Sequence, residues 1–188
     1  WKSILVDEGL LNYSGAESIV CEKQLSLFGD GDCDFPFPAK PNTKFRFIDL
    51  FAGVGGFRLA LQNLSGRCVF SCEIDSAAKE TYFRNFGEVP FGDIRRFTNV
   101  DVSDHTIRKC IPKHEILCAG FPCQPFSIIG SRMGFDDMRG TLFFEIARIL
   151  KDKKPPMIIL ENVKQLATHD NKRTINRILE CLNDVGYK

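Results

Sequence analysis

The sequence predicts an α/β chain built on a doubly wound, mainly parallel sheet. Three observations carry that expectation. From Phe45 onward, apolar runs of strand length alternate with apolar stripes at helical spacing, the pattern of repeated strand–helix–strand units. The first run is followed by a glycine-rich turn that leads directly into a helical stripe. Later runs end in Gly and Pro or in an acidic residue, at the strand ends where open α/β sheets place their chemistry.

The elements follow in chain order. Residues 1 to about 28 carry Ile4, Leu5, Leu10, Leu11, Ile19 and Val20 at loosely helical spacing. Residues 29–44 are rich in Gly, Pro and Asp, the composition of a linker. Residues 1–44 therefore read as an extension and linker, and residues 45–188 as the domain that carries the chemistry. Phe45 to Leu50 is the first strand. Phe57, Ala60, Leu61 and Leu64 lie on one face of the helix after it. Cys68 to Cys72 is the second strand, followed by a helix from about Ser76 to Asn85. A short third strand is expected to end near Ile94. Ser103 suits the N-cap of a brief helix. Glu115 to Ala119 is the next strand; Leu142, Ile146, Ile149 and Leu150 mark a helix; Met157 to Leu160 is a buried strand. Ile175, Ile178, Leu179 and Leu182 give the last amphipathic helix.

Composition narrows the class. The 188 residues are 44% hydrophobic and 26% charged, which suits one domain with a sizeable core. No apolar run approaches the ~20 residues of a membrane helix, so no membrane association is expected. The eight cysteines form no Cys-x-x-Cys pair, which argues against a zinc knuckle or a thioredoxin-type motif, and no metal is expected. Several lie inside apolar runs, as reduced core thiols do, so an intracellular location is expected, cytoplasmic and nucleoid-associated if the source is bacterial. The net charge of +1 supplies no global basic face, so any grip on a nucleic acid must be local or lie outside these residues. The first residue is Trp1 rather than Met, and the sequence stops at Gly186-Tyr187-Lys188 where a further strand is due. Both features lead us to expect a piece of a longer protein.

Two constellations suggest chemistry. The turn Asp49-Leu-Phe-Ala-Gly-Val-Gly-Gly-Phe57 lets the backbone approach a ligand at the amino end of a helix. Counting from Gly53, Arg58 occupies the third glycine position of a dinucleotide fingerprint, which disfavours a nicotinamide-dependent oxidoreductase. Glu73 ends the second strand, suited to two ribose hydroxyls, and Asp93 ends the third, suited to an exocyclic amine. With no Lys in the turn, the set fits an adenosine ligand without phosphates. The second constellation is Gly120-Phe-Pro-Cys-Gln-Pro-Phe-Ser127. Pro122 and Pro125 stiffen a loop at a strand end and hold Cys123 on it, whereas Cys118, inside the apolar run, reads as a core thiol.

With these residues in hand, the chain resembles the DNA (cytosine-5) methyltransferase family of the bacterial restriction-modification type. Phe47-Ile-Asp-Leu-Phe-Ala-Gly-Val-Gly-Gly-Phe57 is similar to its first motif, Glu73-Ile-Asp75 to its second and Gly92-Asp-Ile94 to its third. The Pro-Cys loop, Arg139-Gly-Thr-Leu-Phe143 and Glu161-Asn-Val163 resemble the motifs that follow, in the same order. The resemblance implies a Rossmann-like S-adenosylmethionine-dependent methyltransferase fold, with S-adenosylhomocysteine as product. It implies a cofactor site drawn from Phe51, Ala52, Gly53, Val54, Gly55, Gly56, Glu73, Ile74, Asp93, Ile94, Pro122 and Leu142. Phe51 and Ile74 would flank the adenine, although relatives often carry an aromatic residue at the position of Ile74.

The implied reaction is methylation of carbon 5 of cytosine in DNA. A thiolate adding to carbon 6 makes carbon 5 nucleophilic, and Cys123 is the side chain suited to that addition. An acid at ring nitrogen 3 must take up the charge that develops. Glu161 is the candidate, and an apolar setting would favour its protonated form. Asn162 is expected to orient the Pro-Cys loop. The target base must leave the duplex to be reached. Phe121, Gln124, Ser127, Arg132 and Arg139 are the candidates for contact with the flipped nucleotide and its phosphates, on a glycine-hinged loop.

The family's later motifs and its target-recognition domain are not contained in these residues. They are expected either further along the same chain or on a second polypeptide, and residues 1–188 alone are expected to be inactive on DNA. Two rival readings use the same motifs: an RNA (tRNA) cytosine-5 methyltransferase, and a non-catalytic subunit on the same scaffold.

Overall fold

A computed structural model of the chain describes residues 35–122 and 141–188. Its centre is a four-stranded parallel sheet in the order β2-β1-β3-β4: β1 Phe45–Leu50, β2 Gly66–Cys72, β3 Ile116–Gly120 and β4 Met157–Glu161. β1 is central, and Phe47, Ile48, Asp49 and Leu50 are all buried, as expected for a strand covered on both faces. Parallel neighbours need crossover connections, and helices supply them. These are α1 Gly56–Asn63, α2 Ser76–Phe86, α3 Arg95–Thr98, α4 Asp104–Cys110, α5 Leu142–Lys153 and α6 Arg173–Asp184.

The sheet separates two cores. On one face Ile48, Leu50, Phe70 and Leu117 pack with Phe97 of α3, Ile107 of α4, Ile146, Ile149 and Leu150 of α5, and Ile178 of α6. On the other, Phe47, Cys68 and Cys118 pack with Leu61 of α1. This is the doubly wound arrangement read from the alternation. Local chemistry sets the helix ends. The side chains of Asp75, Ser103 and Thr141 each accept a hydrogen bond from a first-turn N–H of α2, α4 and α5 respectively, and Gly87 ends α2 in the left-handed conformation.

Three expectations are corrected, and the contacts of residues 35–44 are added to the linker reading. The third strand is reduced, among the described residues, to a single parallel bridge between Cys72 and Phe91, because the chain turns at once into α3. β4 is half-buried rather than buried, since it lies at the edge of the described sheet. Residues 35–44 have linker composition, yet they seat on the domain. Gln62 donates to the carbonyls of Phe37 and Pro38 at 3.0 and 2.7 Å, and the Phe35 ring packs edge-on against Phe83. Finally, α1 buries only half of its apolar stripe: Leu61 and, in part, Phe57 pack on the core, but Ala60 and Leu64 are exposed while Arg58 and Gln62 are buried.

Arg58 accounts for that inversion. Its guanidinium donates to both oxygens of Glu88 at 2.7 and 2.8 Å, to the Tyr82 hydroxyl at 3.1 Å and to Gln62 at 2.8 Å. It also lies over the rings of Tyr82 and Phe86. The residue that spoils a dinucleotide fingerprint is thus the pin between α1 and α2. Removing Glu88 strands a buried cation, whereas removing Arg58 leaves a carboxylate with 26% of its side chain in water. Glu88→Ala is therefore expected to cost about 3–5 kcal/mol in denaturant unfolding, and Arg58→Met less. An Arg58→Met loss equal to or above that of Glu88→Ala would contradict this account.

Candidate active site

The site is assembled at the carboxyl ends of the strands. After β1, Phe51 adopts φ 58°, a strained conformation for a bulky side chain, and Gly53 and Gly55 follow at 54° and 96°. At Gly55 any side chain would collide, because a Cβ there would lie 2.2 Å from Phe86 Cε2. Gly55 donates to the Ala52 carbonyl at 2.9 Å, and Ala52 donates to the Cys72 carbonyl at 2.9 Å, which ties the turn to β2. Gly53 and Gly56 face open space, and Val54 is exposed.

Glu73, just past β2, completes the turn. One carboxylate oxygen accepts from the Gly53 N–H and the other from the N–H groups of Ile74 and Asp75, all at 2.8 Å. A carboxylate has about four acceptor positions, so three are filled by backbone and one remains. Ile74 stands exposed beside it, at 73%. Asp93 is half-buried at the start of α3, with its carboxylate forked by Arg95. Ile94 does not reach the site surface; it is 2% exposed and its side chain belongs to the core. Leu142 opens α5 and is half-buried.

The second half of the site forms where β3 and β4 end. Their register sets Gly120 opposite Glu161. A Cβ on Gly120 would lie 3.3 Å from Glu161 Oε2, so the carboxylate rests against the start of the Pro-Cys loop. Asn162 Nδ2 donates to the Phe121 carbonyl at 2.7 Å, while its own Oδ1 accepts from the Val163 N–H. The Phe121 ring is buried against Phe143. Pro122 is exposed. Cys123, Gln124, Ser127, Arg132 and Arg139 lie outside the described residues. The apolar setting expected around Glu161 is not present among the described residues, where its side chain is exposed because β4 ends at an open edge.

Sequence reasoning missed three groups. Asp49, within the glycine-turn motif, is fully buried, and neither carboxylate oxygen has a hydrogen-bond partner among the described residues. Arg95 on Asp93 and buried Glu145 on α5 are the others; the two-residue spacing of Asp93 and Arg95 was the available signal. Among the described residues there is no metal-binding group of His, Cys, Asp and Glu, and no helix long and apolar enough to cross a membrane. Cys68, Cys72, Cys118 and Cys181 are buried thiols, and burial pushes Cys118 up to about 12.

Burial raises the Asp49 carboxyl from 3.8 to about 7, against the opposing pull of the nearby Arg58 charge. The folded state thus holds this proton more tightly than the unfolded state. The stability it contributes is fully present below about pH 4 and is lost as pH rises through about 7. Asp49→Asn is expected to remove that slope, so that wild type loses up to ~4 kcal/mol relative to the variant between those limits. Parallel stability profiles for the two proteins would rule out Asp49 as the titrating group.

The sequence model of the C-5 cytosine-specific DNA methylase family matches residues 45–188. The chain is 52% identical over 148 residues to type II methyltransferase M.HhaI of Haemophilus parahaemolyticus, covering 79% of this chain and 42% of that protein. It is 53% identical over 152 residues to type II methyltransferase M.HpaII of Haemophilus parainfluenzae, covering 79% and 40%. It thus spans about two fifths of the length of these curated relatives. Among solved structures it resembles the S. pombe Dnmt2 methyltransferase, with TM-score 0.56 and 21% identity over 77% of this chain and 41% of that one. It also resembles a putative prophage-encoded DNA modification methyltransferase of E. coli, with TM-score 0.54 and 24% identity over 75% and 38%. At these identities the structural likeness speaks for the fold.

Proposed function

This chain belongs to the C-5 cytosine-specific DNA methylase family, and from that premise we propose that it carries the cofactor-binding and catalytic half of an enzyme that methylates carbon 5 of cytosine in DNA. The observation that carries the reading is the Gly120–Glu161 juxtaposition. A carboxylate rests against the first residue of the loop that leads, three residues on, to Cys123.

The described residues fit S-adenosylmethionine. The glycine turn leaves an open face at Gly53 and Gly56, Glu73 keeps an acceptor position for a ribose hydroxyl, and Val54 and Ile74 offer apolar surface to a base. When bound, the cofactor supplies an electrophilic methyl group on a sulfonium to the carbon 5 that Cys123 has made nucleophilic. In this scheme the Cys123 thiolate adds to carbon 6 of the flipped cytosine, and the ring electrons move toward nitrogen 3. Glu161 holds a proton at nitrogen 3 as that charge develops. Loss of the carbon 5 proton to a base then restores the double bond, and the thiolate leaves. Asn162 keeps the loop in register through the Phe121 carbonyl. Arg132 and Arg139 are assigned to phosphates on the charge of their side chains.

Methyl transfer from labelled S-adenosylmethionine tests the reading, with DNA and transfer RNA offered separately to the complete protein. Label is expected in DNA cytosine; label in transfer RNA alone would move the substrate to RNA. Glu161→Gln is expected to slow single-turnover transfer ~10²–10⁴-fold with little change in cofactor affinity. A loss of cofactor binding with the rate intact would make Glu161 a cofactor ligand instead. Glu73→Ala, measured by calorimetry, is expected to weaken cofactor binding by about 1.5–3 kcal/mol, the size of a hydrogen bond to a charged group.

A further inference from the structure

Asp93 is already engaged by its own neighbour. Its Oδ1 accepts from the Arg95 peptide N–H at 2.9 Å and from Arg95 Nε at 3.0 Å. Its Oδ2 accepts from Nε at 2.8 Å and from Nη2 at 2.5 Å. These contacts hold its carboxyl below the usual range, and they occupy most of the roughly four positions at which a carboxylate accepts. An exocyclic amine approaching Asp93 meets oxygens that a guanidinium holds.

That guanidinium lies at the surface. The Arg95 side chain is 58% exposed, and among the described residues Asp93 is its sole hydrogen-bonded side-chain partner. A second carboxylate lies on the helix packed beside α3, where Arg148 of α5 bonds the carbonyls of Thr98 and Asn99 at the end of α3. Glu145, on the first turn of α5, is 4% exposed, and its Oε2 has no hydrogen-bond partner among the described residues. Burial disfavours the Glu145 anion; of the charges that face it, Arg148 and Arg95 favour the anion and Asp93 opposes it. Arg148 is committed elsewhere, to the carbonyls of Thr98, Asn99 and Val102 and to Asp104. A buried carboxylate oxygen without a donor is costly, so an exposed guanidinium released beside α5 has an acceptor to turn to.

We propose that Arg95 is a positioning residue that gates the adenine amine at Asp93, holding the carboxylate until the amine displaces it and then turning toward Glu145. This rests on the reading of Asp93 as the adenine contact. The gate is weak, because an exposed ion pair contributes little. It works as a filter on ligand chemistry: only a base with a hydrogen-bond donor at this position compensates Asp93 for the loss of Arg95, and Glu145 stabilises the displaced guanidinium.

Calorimetry on the complete protein tests the gate with two probes, S-adenosylhomocysteine and its analogue with hydrogen in place of the 6-amino group. Arg95→Ala is expected to bind S-adenosylhomocysteine roughly 2–5-fold tighter, the size of an exposed ion pair, and to bind the analogue unchanged. Glu145→Gln is expected to weaken the amine-bearing ligand alone. If Arg95 merely stabilised α3, Arg95→Ala would weaken both probes equally or leave both unchanged, and either result overturns the gate. Asp93→Ala separates the two levels of the argument. If it erases the preference for the amine while Arg95→Ala does nothing, the gate fails and the adenine contact stands. If it leaves that preference intact, both fall.

Discussion

The parallel pairing of β3 with β4 sets Gly120 opposite Glu161, so that the carboxylate lies against the strand end, 3.3 Å from where a Cβ on Gly120 would stand. Glu161 and the loop that leads to Cys123 come from segments some forty positions apart in sequence, yet adjacent hydrogen-bonded strands fix their relative height. The amide of Asn162 adds the lateral constraint by holding the Phe121 carbonyl. A site mounted on strand ends and braced by a second layer of hydrogen bonds keeps its geometry better than one built on loops alone. A side chain at Gly120 would make the exposed Glu161 carboxylate shift by a few tenths of an ångström.

The cofactor end obeys a related constraint. The turn after β1 must adopt left-handed backbone at Phe51, Gly53 and Gly55, and something must hold it there. Glu73 does so from the end of β2, bonding the Gly53 N–H with one oxygen and its own following N–H groups with the other. The α1–α2 contact supports the turn from behind. Gly55 sits against Phe86 and Tyr82, and Arg58 locks that pair of rings to Glu88. Strain at Phe51 is thus confined to the edge where an adenine is proposed to bind.

Much of this was legible in the sequence, because alternation of strand and helix periods, glycine turns and capping residues are local signals. The four sheet strands, the cap at Ser103 and the core role of Cys118 belong to that group. What escaped were features set by neighbours distant in sequence. The face of α1 was misread because Arg58 and Gln62 look like surface residues until Glu88 and the carbonyls of Phe37 and Pro38 are brought to them. The third strand shrank to one bridge because burial of Ile94 and Phe97 draws the chain into α3. The partnering of Asp93 by Arg95 was only two residues away, but its consequence depends on Glu145 from a helix further along the chain.

The central claim is that the loop beginning at Gly120 delivers a cysteine to carbon 6 of cytosine beside the Glu161 carboxylate. The most direct measurement uses a duplex carrying 5-fluorocytosine, in which fluorine at carbon 5 blocks the final elimination, incubated with the complete protein and S-adenosylmethionine. The account predicts a covalent protein–DNA complex that survives denaturation and is absent from Cys123→Ser. Formation of that complex by Cys123→Ser at the wild-type rate would contradict it.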